Sequence, residues 1–146
     1  MLLTPGAEPF ADDGWLFQLK WDGVRNLTLV DGGQVWHWSR RLRDRTRLFP
    51  ELDGLATLFG GRRAVLDGEI VALKDGKPSF AAILERDVAG APTAARMKAN
   101  PATLMIFDLL EYEDRKLYGV PLAERLALLE RLIPPAEAWQ VVYSFP

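Results

Sequence analysis

Three alternating runs of residues near the N-terminus constrain the fold of this chain more than any other feature. The runs are WLFQLK (15–20), VRNLTLV (24–30) and QVWHWS (34–39). Apolar side chains recur at every second position within them, which is the period of a half-buried β-strand. Asp-Gly and Asp-Gly-Gly sequences separate the runs, and such sequences are strong signals for tight turns. The N-terminal part of the chain is therefore predicted to be an antiparallel β-meander.

Helices and further strands follow the meander. Pro50 is predicted to open a short helix over PELDGLATLF, and Ser79 is predicted to cap a second helix that ends at residue 87. A third helix is predicted over 121–133, where leucines recur at helical spacing. Further strands are predicted over 63–73, 102–113 and 139–145, with the structure of 88–101 left open. This order predicts an α+β fold with mostly antiparallel sheets and flanking helices.

Composition excludes several kinds of site. The chain has no cysteine and a single histidine, His37, so disulfides, thiolate metal sites and multi-histidine metal sites are excluded. A net charge of −2 argues against a strongly basic coat for nucleic acid. The stretch RRLRDRTR (40–47) is read either as a solvated loop or as a set of phosphate contacts. No apolar run approaches the roughly 18 residues of a membrane span, and no secretory leader is recognised, so a cytoplasmic protein is expected.

Asp-Gly occurs six times in the sequence, and most copies are read as turns. Context distinguishes the copy in Lys20-Trp21-Asp22-Gly23-Val24-Arg25, where a lysine ends an apolar run. A lysine amine in a partly apolar setting beside cations loses proton affinity and becomes a nucleophile. Arg25 is suited to hold an anionic substrate with its planar fork, and Asp22 to hold a metal ion or orient the lysine. The alternative reading is an edge lysine beside a hairpin turn.

A second motif, Leu66-Asp67-Gly68-Glu69, lies inside an apolar strand. Buried carboxylates are costly unless they are paired, and the glycine would let a ligand approach the backbone closely. The alternative is a β-bulge with exposed acids. Two weaker features are Ser39-Arg40, at the end of the third run, and Phe107-Asp108, inside the long apolar strand.

In this order and spacing, the four motifs resemble those of the covalent nucleotidyltransferases, which are ATP-dependent DNA ligases, RNA ligases and mRNA capping enzymes. The resemblance is strongest to the ligase domain of bacterial non-homologous end-joining ligases, and it covers essentially the whole chain. It implies the ligase and capping-enzyme nucleotidyltransferase fold, which is similar to ATP-grasp. It also implies ATP with Mg²⁺ or Mn²⁺ as cofactors. The implied partner is nicked or broken duplex DNA, met during repair and recombination in a nucleoid-associated, cytoplasmic setting without a membrane.

The resemblance also implies roles for single residues. Lys20 would be the catalytic nucleophile that forms lysyl-AMP, and the AMP would then pass to a DNA 5′-phosphate. Asp22 would help to hold the metal ion. The implied nucleotide-binding residues are Gln18 near the adenine, Arg25 and Arg40 at the nucleotide or at DNA, Glu69 at the ribose, and Phe107 stacked on the adenine. Gln18 departs from the family, which usually has glutamate at that position.

Two later motifs of the family are not found. One is a Glu-Gly-hydrophobic strand with a metal-binding glutamate, and the other is a Lys-x-Lys strand that grips phosphates. The sequence has no Glu-Gly dipeptide, and its last lysine is Lys116. We therefore expect residues 1–146 to form a single, partial nucleotidyltransferase domain without an OB-fold domain. Such a domain is expected to be weakly active or inactive alone, which leaves open whether the chain is an enzyme.

Other functions and assemblies follow from the same absence. The chain is alternatively a non-catalytic module that binds nucleotides or nucleic acid, or a half-domain that needs a complementing chain. An uncovered sheet edge would favour a homo-oligomer, with either edge strands or the run WQVVYSF (139–145) at the contact. The remaining alternative is that this run folds back over the gap.

Overall fold

The computed structural model describes Gly6, Phe10 and residues 14–145, so most of the predicted lead-in over 1–14 lies outside the described residues. The strands are β1 Phe17–Gln18, β2 Val24–Asp31, β3 Gln34–Ser39, β4 Ala64–Lys74, β5 Lys77–Pro78, β6 Ala102–Tyr112, β7 Arg115–Lys116, β8 Trp139–Val141 and β9 Ser144–Phe145. The α-helices are α1 Leu55–Leu58, α2 Phe80–Val88, α3 Ala94–Ala99 and α4 Leu122–Leu132. Short 3₁₀ helices lie at Thr46–Leu48 and Pro50–Leu52.

The main sheet has the strand order β3-β2-β4-β6-β7, and each neighbouring pair is antiparallel. The turn between β2 and β3 consists of Gly32 and Gly33, whose φ angles are 53° and 80°. Two positive φ angles in succession match the twist of a tight hairpin, and glycine adopts them without steric cost. The predicted α+β class is confirmed. Of the predicted meander, the hairpin of β2 and β3 is confirmed, but its first strand is wrong, because β1 does not pair with β2 and belongs to another sheet.

The core lies between one face of this sheet and the helices. Leu66 and Ile70 of β4 pack there with Leu104 and Ile106 of β6, and all four are fully buried. Leu129 of α4 joins the same cluster from the other layer. Burying each such side chain contributes about 1.5–3 kcal/mol. The two long central strands are therefore well packed, and β2, which carries Arg25, pairs with one of them.

The inward face of β2 also carries polar residues. Asn26 and Thr28 lie between Val24 and Val30 on the buried face of β2, and His37 of β3 lies opposite Thr28. Asn26 Nδ2 lies 3.0 Å from His37 Nδ1, and Thr28 Oγ1 lies 3.1 Å from the same atom. Burial away from water lowers the pKa of His37 to about 4, because desolvation disfavours the charged imidazolium.

The predicted helices are borne out unevenly. The helix capped by Ser79 is confirmed as α2, and the Ser79 hydroxyl accepts a hydrogen bond from the Ala82 N–H. The single helix predicted after Pro50 is wrong, because the chain forms a 3₁₀ turn and then the separate α1, which begins after Gly54. Residues 88–101, left open from the sequence, contain α3, capped by the hydroxyl of Thr93.

The C-terminal run is not one strand, as its alternation had predicted. β8 joins β6 in parallel, and β9 pairs with β1 in a separate two-stranded sheet. The strand predicted over 15–20 likewise shrinks to β1. Between β8 and β9, the buried Val142 donates its N–H to the Ile106 carbonyl at 2.7 Å. The run is therefore folded back and paired within the chain. This is the second of the two arrangements expected from the sequence, and it leaves the run unavailable as an open edge.

Among the described residues, no helix is long and apolar enough to cross a membrane.

Candidate functional site

Lys20 lies in the short segment that links β1 to β2, and it is exposed. Gly23 fixes how this segment meets the main sheet. A Cβ atom placed on Gly23 would lie 2.3 Å from the Ile70 carbonyl oxygen of β4, so only glycine allows this approach. The glycine of the first motif thus lets the lysine segment lie directly against β4, at the residue that follows the second motif.

Arg25 reaches diagonally across the sheet to the second motif. Its Nε and one terminal nitrogen donate to the two carboxylate oxygens of Asp67, each at 2.7 Å. The Asp67 side chain is 5% exposed and that of Arg25 is 23% exposed. A buried carboxylate requires such a partner, and the two-pronged contact fixes the guanidinium plane. The fork that the sequence assigned to a substrate anion is therefore already engaged by a residue of the chain.

Phe107 lies beside this pair because of an irregularity in β6. The pairing of β4 with β6 shifts between Asp67 and Gly68, so that Phe107 is passed over in the register. The Arg25 guanidinium carbon then lies 4.9 Å from the centre of the Phe107 ring, a cation–π distance. The bulge interpretation of the second motif is correct, but Asp67 is buried rather than exposed.

Gly68 serves the sheet rather than a ligand. A Cβ atom on Gly68 would lie 2.7 Å from the Met105 carbonyl oxygen of β6. The expectation that this glycine admits a bound molecule is therefore wrong, because the backbone of the adjacent strand fills the space.

Glu69 is half-buried and lies opposite Arg25 in the register of β2 and β4. Burial raises its pKa, because the charged carboxylate loses hydration. The positive charges of Arg25 and Lys20 and a hydrogen bond from the Gly23 backbone oppose this rise, while Asp22 adds to it. These electrostatic effects indicate that the lysine segment and Glu69 share one small region.

The two remaining predicted residues lie at its margins. Gln18 is in β1, and its Nε2 donates to the Ser144 hydroxyl of β9 at 2.9 Å. Arg40 is exposed just beyond β3, and the pairing of Ser39 with Asn26 places it at the end of the sheet that carries Arg25. The structure thus groups Lys20, Asp22, Arg25, Glu69 and Phe107, with Gln18 held by β9 and Arg40 at the rim.

Trp21 is a site residue that the sequence reasoning missed. Its half-buried indole packs with Phe107 against a small cluster of Val71, Met105 and Val142. The available signal was its place between Lys20 and Asp22. A large aromatic side chain at that position packs against any apolar surface that the segment meets, and it thereby fixes the segment. Trp21 and Phe107 thus share one apolar cluster next to the lysine segment.

Two carboxylates near Lys20, those of Asp22 and Glu69, are the candidate ligands for a metal ion. Asp22 and Glu69 are both available as oxygen donors, but the described residues contain no group of three or more side chains that would hold a metal ion. Magnesium is usually bound by one or two carboxylates together with substrate phosphates and water. The residues present therefore fit a metal ion that arrives with a phosphate ligand, and they do not form a closed protein cage.

Comparisons with known proteins agree with these motifs. A family model described as ATP dependent DNA ligase domain matches residues 6–145. The chain is 38% identical over 124 residues to DNA ligase C2 of Mycolicibacterium smegmatis, covering 84% of this chain and 35% of that protein. It is 40% identical over 119 residues to the multifunctional non-homologous end joining DNA repair protein LigD of Mycobacterium tuberculosis, covering 81% of this chain and 14% of that protein.

Solved structures show the same likeness. The ligase domain of LigD from M. tuberculosis matches with a TM-score of 0.72 and 34% identity, over 90% of this chain and 40% of that one. A mycobacterial DNA ligase D complexed with ATP and MES matches with a TM-score of 0.70. The nucleotidyltransferase fold predicted from the motifs is thereby confirmed. The chain spans 35% or less of the relatives named here and 40% of the matched ligase domain.

Proposed function

Because this chain belongs to the family of ATP-dependent DNA ligase domains, we propose that it acts in adenylyl transfer. Lys20 is the proposed nucleophile, which accepts AMP from ATP and then yields it to a DNA 5′-phosphate. The observation that supports this proposal is the convergence of the two motifs: Gly23 lies against Ile70, Arg25 pairs opposite Glu69, and the positive charge of Lys20 acts on Glu69.

The proposed chemistry is a nucleophilic displacement at phosphorus. Once it is deprotonated, the Lys20 amine donates its lone pair to the α-phosphorus of ATP, and a P–N bond forms while the bond from this phosphorus to the oxygen that bridges to the β-phosphate breaks. Pyrophosphate leaves, and the amine loses a proton. Positioning and charge neutralisation provide most of the rate in such transfers.

Binding roles follow from where the side chains lie. Phe107 is the proposed stacking residue for adenine, and since the Arg25 guanidinium held by Asp67 covers one face of the ring, adenine would use the other face. Glu69, half-buried opposite Arg25, is the proposed acceptor of hydrogen bonds from the ribose hydroxyls. A divalent cation, Mg²⁺ or Mn²⁺, would neutralise phosphate charge when bound, and Asp22 and Glu69 are the carboxylates that would hold it.

DNA is the proposed acceptor, in keeping with repair and end joining in the cytoplasm near the nucleoid. Arg40, Arg41 and Arg47 are exposed in the loop after β3, whereas Arg43 and Arg45 of that loop are engaged with Asp87. Exposed arginines contact phosphates without reading sequence, which suits a protein that meets broken or nicked duplexes of any sequence.

Covalent labelling tests the proposal directly. The purified chain is incubated with α-labelled ATP and a divalent metal, and the product is separated on a denaturing gel. Label that stays with the protein supports adenylyl transfer. Absence of label under conditions that label the ligase domain of LigD would count against it.

A second candidate function is a non-catalytic nucleotide- or nucleic-acid-binding module, or a half-domain that acts with a complementing chain. The ion pair between Arg25 and Asp67 favours this candidate, because it explains the presence of the arginine by its structural role, with no bound substrate. Binding of ATP without any covalent label would support this candidate.

A further inference from the structure

Arg45 is buried, whereas the other arginines of its loop are exposed or, in Arg43, half-exposed and paired with Asp87. Its side chain is 8% exposed, although it belongs to the basic stretch over 40–47. A guanidinium group is costly to bury unless its charge is paired and its N–H groups find acceptors. The contacts of Arg45 therefore indicate which parts of the fold it joins.

Those contacts lead to two separate elements. Arg45 Nε lies 2.6 Å from one carboxylate oxygen of Asp87, and a terminal nitrogen donates to the other oxygen at 3.0 Å. Asp87 is near the C-terminal end of α2 and is itself buried. The second terminal nitrogen of Arg45 donates to the backbone carbonyl oxygen of Arg25 at 2.8 Å. One guanidinium thus connects α2 to the start of β2.

The attachment point on β2 is close to the reacting lysine. Arg25 closes the motif that begins at Lys20, and its side chain is already fixed by Asp67. Gly23 is pressed against the Ile70 carbonyl of β4. The hydrogen bond from Arg45 holds the backbone two residues further along, at the Arg25 carbonyl. Burial lowers the pKa of Arg45, and the negative charges of Asp87 and, to a smaller extent, Glu69 oppose this lowering.

We propose that Arg45, anchored by Asp87, is a positioning residue for the adenylyl-transfer site. It touches no substrate, and it acts by holding the Arg25 carbonyl and thereby the orientation of the Lys20 segment and of the Arg25 fork. This inference rests on the proposed function, because the segment matters only if Lys20 is the nucleophile.

Single-turnover labelling of the full chain with α-labelled ATP separates positioning from stability. The amplitude of labelling reports the fraction of chains that are folded, and the rate constant at saturating ATP reports how well Lys20 is placed. For Arg45→Met we expect the rate constant to fall by about 10- to 100-fold, the loss expected when a reacting group is misplaced by about 1 Å. The apparent KM for ATP should change less than threefold.

Arg45→Lys provides a second variant that keeps the charge. A lysine amine neutralises Asp87, but it lacks the fork needed to reach Asp87 and the Arg25 carbonyl together. The midpoint of thermal unfolding should therefore be closer to that of the unaltered chain than the midpoint of Arg45→Met is. The labelling rate constant should stay about tenfold below that of the unaltered chain. A lysine variant with both quantities restored would contradict the inference.

Arg43→Met is the matched control in the same loop. Arg43 also pairs with the Asp87 carboxylate and backbone, and among the described residues its side-chain hydrogen bonds all go to Asp87. It should label at the unaltered rate. An unaltered rate constant in Arg45→Met, with only a smaller amplitude, overturns the positioning role and leaves the proposed function standing. Absence of label on the unaltered chain overturns both.

Discussion

Arg25 and Asp67 lie diagonally across neighbouring strands β2 and β4 and are joined by two hydrogen bonds of 2.7 Å. This pair links the first motif to the second and sets the position of the guanidinium over Phe107. It gives both residues a structural purpose in addition to any part in binding nucleotide.

Removing the arginine from this pair should destabilise the fold. Arg25→Ala leaves the Asp67 carboxylate buried without its main partner, and breaking a buried pair costs about 3–5 kcal/mol. Because Arg25 is 23% exposed, we expect a smaller loss of about 2–3 kcal/mol in the free energy of unfolding. Urea unfolding measures it. In Arg25→Ala/Asp67→Asn the second change should recover part of the loss, and strictly additive losses would show that the two residues are not coupled.

Lys20→Ala should abolish any covalent AMP adduct. The adduct on the unaltered chain should be labile to acid and stable to alkali, because a P–N bond is hydrolysed by acid. Lys116→Ala is the control, since Lys116 is an exposed lysine of β7, and it should label normally. Label that persists in Lys20→Ala would remove the assignment of this lysine as nucleophile.

Gly23→Ala should be among the most damaging single-methyl additions to the chain. The new Cβ would lie 2.3 Å from the Ile70 carbonyl oxygen, and backbone cannot move aside as a flexible side chain can. We expect a loss of about 2–3 kcal/mol in unfolding free energy. Gly119→Ala, which adds the same methyl group into open space, should stay within about 0.5 kcal/mol of the unaltered chain. Equal behaviour of the two variants would contradict the close packing at Gly23.

The buried His37 should make the fold sensitive to mild acid. Its pKa falls from 6.5 to about 4 in the folded chain, so the unfolded chain binds the proton more readily. Its contribution is therefore present in full above pH 6.5 and is lost as the pH falls toward 4, amounting to about 3 kcal/mol.

The measurement is the free energy of unfolding at several pH values between 7 and 4. His37→Gln replaces the imidazole by a neutral amide, and it should lower the stability near pH 7 while flattening the slope between pH 6.5 and 5. An unchanged slope in His37→Gln would assign the acid sensitivity to other groups.

The hairpin of β2 and β3 and the helix α2 were predictable from the sequence because their causes are local. Alternation of apolar residues, Asp-Gly turns and the Ser79 cap act within a few residues of one another. The motif around Lys20 was recognisable for the same reason, since all of its residues lie within one turn and the start of one strand.

The splitting of the C-terminal run was not predictable from that run. WQVVYSF alternates as one strand does, but β8 pairs with β6 and β9 pairs with β1, so the ends of the run belong to different sheets. Which partner a strand takes depends on the path of the whole chain, and the period of its side chains does not encode it.

By itself, the sequence determined the motif residues and the strand that carries them, because those features follow from neighbours along the chain. Only the tertiary structure decided that Asp67 holds the Arg25 fork and that Asp87, through Arg45, holds the Arg25 carbonyl. Both contacts with carboxylates join residues 42 positions apart. They exist because the register of β2 against β4 and the docking of α2 bring opposite charges together, in surroundings too dry to leave either charge unpaired.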